Sequence, residues 1–280
     1  ELNEALAGTN YILNVHLKLD TGMTRIGFFA YDNERTLDEL RQVAQLPHLH
    51  IEGVFMHFCV ADSRAEADVS FTKLQYKRFM DMLSAMAGVG IRPEIRHCCN
   101  SGATILYPEY ALDMVRPGIA TYGVLPSEDL RGMIDLRPVM SLRSTIFQIR
   151  DFEPNITISY GRTYTTEDPA RIAVVGIGYA DGFPRSLSSN VSFLLHGRRV
   201  PQVGRICMDM CMVDITRVPE AKVGDVVTVF GEDGGDSIEL TSLANRLGTI
   251  PYELMCGINK RIPRIYLNGE DETEVLQYIV

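Results

Sequence analysis

Residues 10–27, NYILNVHLKLDTGMTRIG, decide how the first half of this chain is interpreted. Residues 10–19 are mostly apolar and predict a buried strand, which ends where Asp20, Thr21 and Gly22 begin a polar turn. Arg25 follows shortly after that turn. In barrels of parallel strands, active-site groups collect at the carboxyl ends of the strands. The stretch therefore predicts one strand of such a barrel, with polar groups at its rim.

Three later segments repeat this pattern of an apolar strand that ends in polar residues. The predicted strands at 51–59, 93–99 and 112–122 deliver to the same rim, in chain order, His57, then Asn100 and Ser101, then Arg116, Gly118 and Ile119. Taken singly, a histidine in an apolar strand is usually a core residue, and Asp-Thr-Gly or Arg-Pro-Gly is usually a turn. Four coincidences at matching positions favour a functional site.

The arrangement of apolar residues divides the chain into two regions. Helices are predicted at 36–46, 71–87 and 101–106, between the strands above, and residues 1–8 predict a helix end capped by Gly8. After residue 125 the pattern changes to short strands joined by turns, at 139–149, 156–163, 171–177, 191–195, 212–215 and 223–230, with one helix at 240–247 and extended chain at 252–266.

We therefore expect an α/β fold in two domains. Residues 1–136 are expected to form the second half of a TIM-type (β/α)8 barrel, and residues 137–280 an all-β C-terminal domain. Four βα units do not close a barrel, because an open edge would leave strands unpaired. The first half of the barrel is expected to lie outside these residues.

Composition limits the class of partner. The net charge of −9 argues against nucleic acid and anionic membranes, so a small-molecule ligand is expected. No apolar run approaches the ~18–20 residues that span a bilayer, and no signal peptide is evident. The six cysteines lie in apolar runs without the spacing of a zinc site, which predicts reduced thiols and no metal. A cytoplasmic location is expected for this part of the protein, although a membrane-anchored parent chain is compatible with it.

Several motifs together make the resemblance specific. The segments KLDTGMTRIG (18–27), NSGA (100–103), RPGI (116–119), GIGYADGFPR (176–185) and VGRICMDM (203–210), with His57 at its strand end, resemble the alanine racemase family. The resemblance extends over about residues 11–266. It implies a barrel that binds pyridoxal 5'-phosphate, and a homodimer in which the β domain of one subunit completes the active site of the other.

The resemblance also implies roles for the barrel residues. Asn100 and His57 would line the cofactor, and its phosphate would be bound by the residues of the last two loops, Ser101, Gly118 and Ile119. A helix start and a close backbone approach at glycine suit an anion. Arg116 would face the pyridine nitrogen. Because arginine cannot accept a proton, it would restrain transamination.

Racemisation requires proton transfer on two faces of the substrate. By resemblance, Tyr179 is one base and acts in the neighbouring subunit's site, with His57 and Arg116 as the cations that would stabilise its phenolate. Arg25 would bind the substrate carboxylate, while Met208 and Asp209 would close over the substrate. Lys18 matches a lysine that is often carbamylated in the family, and an ordinary rim lysine is the alternative.

Two departures from the family pattern affect these expectations. The five lysines of the chain are Lys18, Lys73, Lys77, Lys222 and Lys260, and none lies in a motif like the family's cofactor-lysine segment. The second base is therefore expected outside the residues given. Asn259 and Lys260 stand where many alanine racemases have a tyrosine near the pocket entrance. A wider pocket would accept serine as well as alanine.

The expected function is pyridoxal-phosphate-dependent interconversion of L- and D-alanine by a two-base mechanism, supplying D-amino acid for cell-wall peptidoglycan. The alternatives are a serine racemase, a non-enzymatic barrel that binds pyridoxal phosphate, and a structural fragment. A barrel-type decarboxylase of basic amino acids is a further alternative. Arg116 and the tyrosine of GYADG argue against the decarboxylase, and the β domain argues against the single-barrel binding protein.

Overall fold

The computed structural model describes residues 1–269 and 271–278, and it divides into two compact units, Glu1–Arg137 and Pro138–Val280. The first unit is α/β and the second is β-rich, which confirms the predicted fold class. Among the described residues, no helix combines the length and the apolar character needed to cross a membrane. All six cysteines are free thiols.

The first unit contains a parallel sheet of four strands in the order β2-β1-β3-β4. Its strands are β1 (Leu13–Asp20), β2 (Phe28–Phe29), β3 (Leu49–Phe55) and β4 (Ile95–His97). The helices of this unit are α1 (Leu2–Ala5), α2 (Asn33–Ala44), α3 (Glu66–Gly88) and α4 (Ser101–Leu106). The parallel order brings the carboxyl ends of β1, β3 and β4 to one edge, as the sequence predicts.

Helix α3 closes the core of the first unit by packing apolar side chains against the sheet. Phe79, Met82 and Met86 recur at helical spacing and are fully buried. They belong to one cluster with Leu19 of β1 and Val54 of β3. Burial of each such side chain contributes about 1.5–3 kcal/mol, so this helix holds the strands that carry the rim.

The turn after β1 gives the rim its shape. The Asp20 carboxylate accepts hydrogen bonds from the backbone amides of Gly22 and Thr24, at 2.9 and 3.0 Å. Gly27 has a φ of 112°, and a Cβ there would lie 2.5 Å from the Lys18 carbonyl oxygen. Glycine alone fits so close an approach. The turn is therefore fixed at both of its ends.

Two predictions for the first unit were wrong. The fourth strand is reduced to an isolated bridge between His97 and Met114, and a 3-10 turn at Ile119–Tyr122 follows it. Proline lacks a donor for a strand ladder, and Pro117 lies directly between these features. Helix α1 ends at Ala5 rather than at the predicted cap, Gly8.

The second unit is built on a seven-stranded sheet in the order β13-β12-β5-β8-β11-β10-β9. A further pair between Thr228 and Leu194 joins β12 to β9, so that six of the strands form a closed ring. The main strands are β5 (Leu142–Phe152), β8 (Ala170–Val175), β9 (Ser192–Leu195), β10 (Arg198–Val203), β11 (Cys211–Asp214), β12 (Val226–Asp233) and β13 (Asp236–Ile238). Two short pairs complete the unit, β6 (Thr157–Ile158) with β7 (Tyr164–Thr165) and β14 (Arg264–Asn268) with β15 (Asp271–Leu276).

The predicted extended chain at 252–266 was wrong. Residues Pro251–Gly257 form helix α6, and only Arg264–Asn268 is extended. Pro251 is at the first helical turn, where its missing amide proton costs nothing, and Leu254 anchors the short helix in the core. Helix α5 (Leu240–Leu247) has the predicted bounds. Over its described residues the unit is therefore β-rich with two α-helices, and strands β7, β10, β13 and β15 were not predicted.

The packing of α3 yields a stability prediction. Phe79→Ala should lower the free energy of unfolding by about 3–5 kcal/mol, because it removes a fully buried ring and leaves a cavity. Leu74→Ala, on an exposed position of the same helix, is the control and should cost under ~1 kcal/mol. Urea unfolding of both variants measures the difference. Equal losses would show that α3 does not pack as described.

Candidate active site

Arg116 lies at the centre of the polar rim in the first unit. Its guanidinium donates to the carbonyl oxygens of Met56 at 2.7 Å and Cys98 at 3.4 Å, and it lies 3.5 Å from Nδ1 of His57. The guanidinium carbon is 5.2 Å from the centre of the Phe55 ring. No carboxylate among the described residues pairs with Arg116. The rim is therefore organised around an uncompensated positive charge.

A chain of hydrogen bonds leads from Arg116 away from the rim. Arg116 lies 2.5 Å from Nδ1 of His97, Nε2 of His97 lies 2.7 Å from Nδ1 of His16, and Nε2 of His16 lies 3.1 Å from Glu52. Arginine can only donate, so Nδ1 of His97 accepts and its Nε2 carries the proton. The same reasoning places the proton of His16 on Nε2. Both tautomers are thus set by Arg116.

The charge of Arg116 and burial determine the ionisation of the nearby groups. Burial, followed by the charges of Arg116, Arg25 and Lys18, lowers the pKa of His57 to about 4. Burial and Arg116 likewise lower the pKa of His97 to about 4. His57 is therefore neutral at pH 7, and its predicted role as a cation beside a phenolate needs correction. Of the two predicted cations, only Arg116 keeps its charge at pH 7.

Lys18 lies at the same rim, on strand β1, and is buried. Its Nζ donates to the carbonyl oxygen of Ile26 at 2.7 Å. Burial lowers the pKa of the Lys18 amine, Arg25 and Arg116 lower it further, and Asp20 opposes them. The Arg25 side chain is exposed. The structure thus brings Lys18, His57 and Arg116 together, with Arg25 close enough to act on their charges.

The loops after β4 and Arg116 form an anion cradle. The Ser101 hydroxyl accepts from the Ala120 amide at 3.3 Å, which links the two loops. Within the described residues, the backbone amides of Gly118 and Ile119 have no acceptor. A Cβ added at Gly118 would meet no atom within 4 Å, so this side of the loop is open. Free amides beside a hydroxyl are suited to an anion such as a phosphate.

Asn100, predicted to line the cofactor, is committed to local structure. Its Oδ1 accepts from the Ala103 amide at 3.0 Å and caps helix α4, while its Nδ2 donates to the Phe58 carbonyl oxygen at 3.2 Å. Capping satisfies an amide that the start of a helix leaves free. Asn100 therefore orients the loop that presents Ser101.

The other predicted residues meet in the second unit. Tyr179 lies in a 3-10 turn, Tyr179–Asp181, and its side chain is exposed. The amide of Tyr179 donates to the Cys207 carbonyl oxygen at 3.0 Å, and the Ala180 amide donates to that of Met208 at 2.9 Å. The turn that carries Tyr179 is thus hydrogen-bonded to the turn that carries Met208 and Asp209. Both of these side chains are exposed.

Sequence reasoning missed four residues. His97, His16 and Glu52 continue the hydrogen bonds of Arg116, and the Arg261 guanidinium donates to Asp181 and Asp209. His16 and Lys18 are two apart on β1 and so share a face with Asp20, a signal that the alternation of a strand could have supplied. His97 was treated as part of an apolar strand. Arg261 lies in the segment that was wrongly predicted to be extended.

Two family models match the chain. The N-terminal domain of alanine racemase matches residues 1–126, and the C-terminal domain of alanine racemase matches residues 139–266. The two matches together cover nearly all of both structural units.

Individual proteins agree with the family models. Alanine racemase 2 of Caldanaerobacter subterraneus is 42% identical over 280 residues, which is 100% of this chain and 71% of that protein. The alanine racemase of Methanococcus maripaludis is 44% identical over 255 residues, 91% of this chain and 67% of its own length.

Solved structures show the same likeness in three dimensions. Alanine racemase of Clostridium difficile superposes with a TM-score of 0.92 at 38% identity, and the match covers 100% of this chain and 71% of that one. Alanine racemase of Bacillus anthracis with bound L-Ala-P gives a TM-score of 0.88 at 35% identity, over 99% of this chain and 70% of that one. Because both family models match and these relatives are similar over nearly the whole chain, this chain belongs to the alanine racemase family.

Proposed function

We propose that this chain forms part of an enzyme that interconverts L- and D-alanine with pyridoxal 5'-phosphate, the cofactor of its family. The observation that carries the proposal is the convergence of the anion cradle and the uncompensated charge of Arg116 at one rim. The D-alanine produced would supply cell-wall peptidoglycan. A decarboxylase is disfavoured by Tyr179 and by Arg116, because a carboxylate in place of Arg116 is what would indicate a different pyridoxal enzyme.

The residues present fit the cofactor. The free amides of Gly118 and Ile119 and the hydroxyl of Ser101 would hold the phosphate, with His57 beside the ring. Arg116 would donate to the pyridine nitrogen and keep it unprotonated, since a guanidinium cannot accept a proton. When bound, pyridoxal phosphate supplies the electron sink that makes the α-proton of an amino acid removable.

Tyr179 is proposed to take and return the α-proton at its phenol oxygen on one face of the substrate. Arg25 would bind the substrate carboxylate, and Met208 and Asp209 would cover the substrate. In the homodimer we propose, Tyr179 acts in the site of the partner subunit. The base for the opposite face is expected to be a lysine that this chain does not contain.

Replacing the phenol tests the role of Tyr179. Tyr179→Phe should lower kcat for alanine racemisation by ~10²–10⁴-fold in the holoenzyme, because a general base is lost, while the absorbance of the bound cofactor is retained. Tyr266→Phe, at another exposed tyrosine of the second unit, is the control and should keep full activity. Full activity in Tyr179→Phe would remove this residue from the mechanism.

Carbamylation of Lys18 is also proposed, because CO₂ reacts with the neutral amine and burial lowers the pKa of this lysine. Modification should therefore increase as the pH rises and as CO₂ is supplied. A carbamate signal with ¹³C-labelled CO₂ in the NMR spectrum, absent in Lys18→Ala, is the expected result. An unchanged spectrum at raised pH and saturating CO₂ would leave Lys18 as an ordinary rim lysine.

The residues at 259 and 260 generate a prediction about the substrate. Lys260 is exposed, and its ammonium lies 5.6 Å from the centre of the Tyr278 ring, while Asn259 donates through its backbone amide to the Asp181 carbonyl oxygen. Neither residue 259 nor residue 260 is aromatic. The holoenzyme should racemise L-serine as well as L-alanine, and Lys260→Tyr should lower the serine rate relative to the alanine rate. Negligible serine turnover by the unaltered enzyme would refute a widened pocket.

A further inference from the structure

Arg261 joins two loops that carry proposed active-site residues. It follows helix α6 in the chain, and its side chain is 35% exposed. Nε donates to Oδ1 of Asp181 at 2.6 Å, and the terminal nitrogen NH2 donates to Oδ1 of Asp209 at 2.7 Å. Asp181 belongs to the Tyr179 turn and Asp209 to the neighbouring turn. One guanidinium thus binds a carboxylate of each.

Asp181 is the inner partner of this network and closes the Tyr179 turn. Its side chain is only 5% exposed, and Oδ2 accepts from the backbone amide of Gly178 at 2.8 Å. Its carbonyl oxygen accepts from the amide of Asn259 at 2.9 Å. The carboxylate therefore holds both ends of the turn and faces Arg261 with its remaining oxygen.

Backbone contacts leave little space around the turn. A Cβ at Gly178 would lie 2.3 Å from the Met208 carbonyl oxygen, and one at Gly182 would lie 2.0 Å from that of Gly257. Together with the hydrogen bonds donated by the backbone amides of Tyr179 and Ala180, these contacts hold the turn between residues 207–208 and residues 257–258. Arg261 follows the second of these segments in the chain, and its side chain reaches Asp209, next to the first.

The phenol itself has no such support. Within the described residues, no hydrogen bond to the Tyr179 hydroxyl is found, and the residue is 43% exposed. The direction of the phenol therefore depends on the position of its backbone. A displacement of about 1 Å in a reacting group can cost on the order of 10²-fold in rate.

From this geometry we infer that Arg261 is a positioning residue, which holds the Tyr179 phenol in place by binding Asp181 and Asp209 together. The inference rests on the proposed role of Tyr179 as a base. Removing Arg261 leaves a buried carboxylate without its cation, which loosens the turn. Lysine offers a single ammonium in place of a planar fork and reaches one carboxylate at a time.

The test uses the holoenzyme with Arg261→Gln and Arg261→Lys. Arg199→Gln is the control, because the Arg199 guanidinium of β10 likewise makes two carboxylate hydrogen bonds in this unit, both to Asp236 of β13, at 2.7 and 2.8 Å. We expect Arg261→Gln to lower kcat by ~10–100-fold with a smaller change in KM. Arg261→Lys should lose less, and Arg199→Gln should match the unaltered enzyme.

The α-deuterium isotope effect distinguishes a misplaced Tyr179 phenol from a general loss of active enzyme. The equilibrium between L- and D-alanine is fixed, so kcat/KM falls equally in both directions whatever the cause. Tyr179 removes the proton from only one enantiomer, so the α-deuterium isotope effect should rise in Arg261→Gln for that enantiomer and not for the other. Cofactor absorbance and the melting temperature of Arg261→Lys report on binding and folding.

Three outcomes overturn the inference. These are full activity in Arg261→Gln, an isotope effect that rises equally for both enantiomers, and a loss in Arg199→Gln as large as that in Arg261→Gln. Failure of the proposed function can be distinguished from failure of this inference, because the unaltered holoenzyme would then not racemise alanine at all. If Arg261→Gln does not fold, the difference between the isotope effects for the two enantiomers in Arg261→Lys tests the inference.

Discussion

The first unit is organised by a cation that cannot be neutralised. Arg116 is held by two carbonyl oxygens and the Phe55 ring, with no carboxylate of the described chain beside it. Since a guanidinium does not release its proton, the surrounding groups adjust. Burial, with the charge of Arg116 acting in the same direction, lowers the pKa values of His57, His97 and Lys18, so that Arg116 keeps the rim positive, as a site for anions would require. A phosphate, a substrate carboxylate and a phenolate are all anions of this kind.

The second unit meets a different requirement. The rim is characterised by the charge of Arg116, whereas the Tyr179 turn depends on close packing, with glycines where neighbouring backbones approach and a buried carboxylate at its end. Arg261 joins that turn to Asp209 through two hydrogen bonds. Racemisation as proposed needs both properties, because an acidified α-proton is useful only if a base stands at a fixed distance from it.

The sequence predicts the strand-end residues well because their positions follow from a simple rule. Lys18, His57 and Arg116 each follow or end an apolar segment, and parallel strands bring such ends together. This rule could not predict that His57 is neutral, because the pKa of its side chain depends on burial and on the charge of Arg116. The local pattern of apolar residues also predicted the bounds of α5. It did not predict α6, because seven residues are too few to show a helical period.

The contact between Gly27 and the Lys18 carbonyl has a practical meaning for redesign. A Cβ at residue 27 would lie 2.5 Å from the Lys18 carbonyl oxygen, so no larger side chain can be tolerated there without moving strand β1. An engineer who wishes to reposition Arg25 for a longer amino acid would therefore insert or delete residues between 21 and 26. Replacing Gly27 would also shift Lys18, so the end of strand β1 and the turn after it would change together.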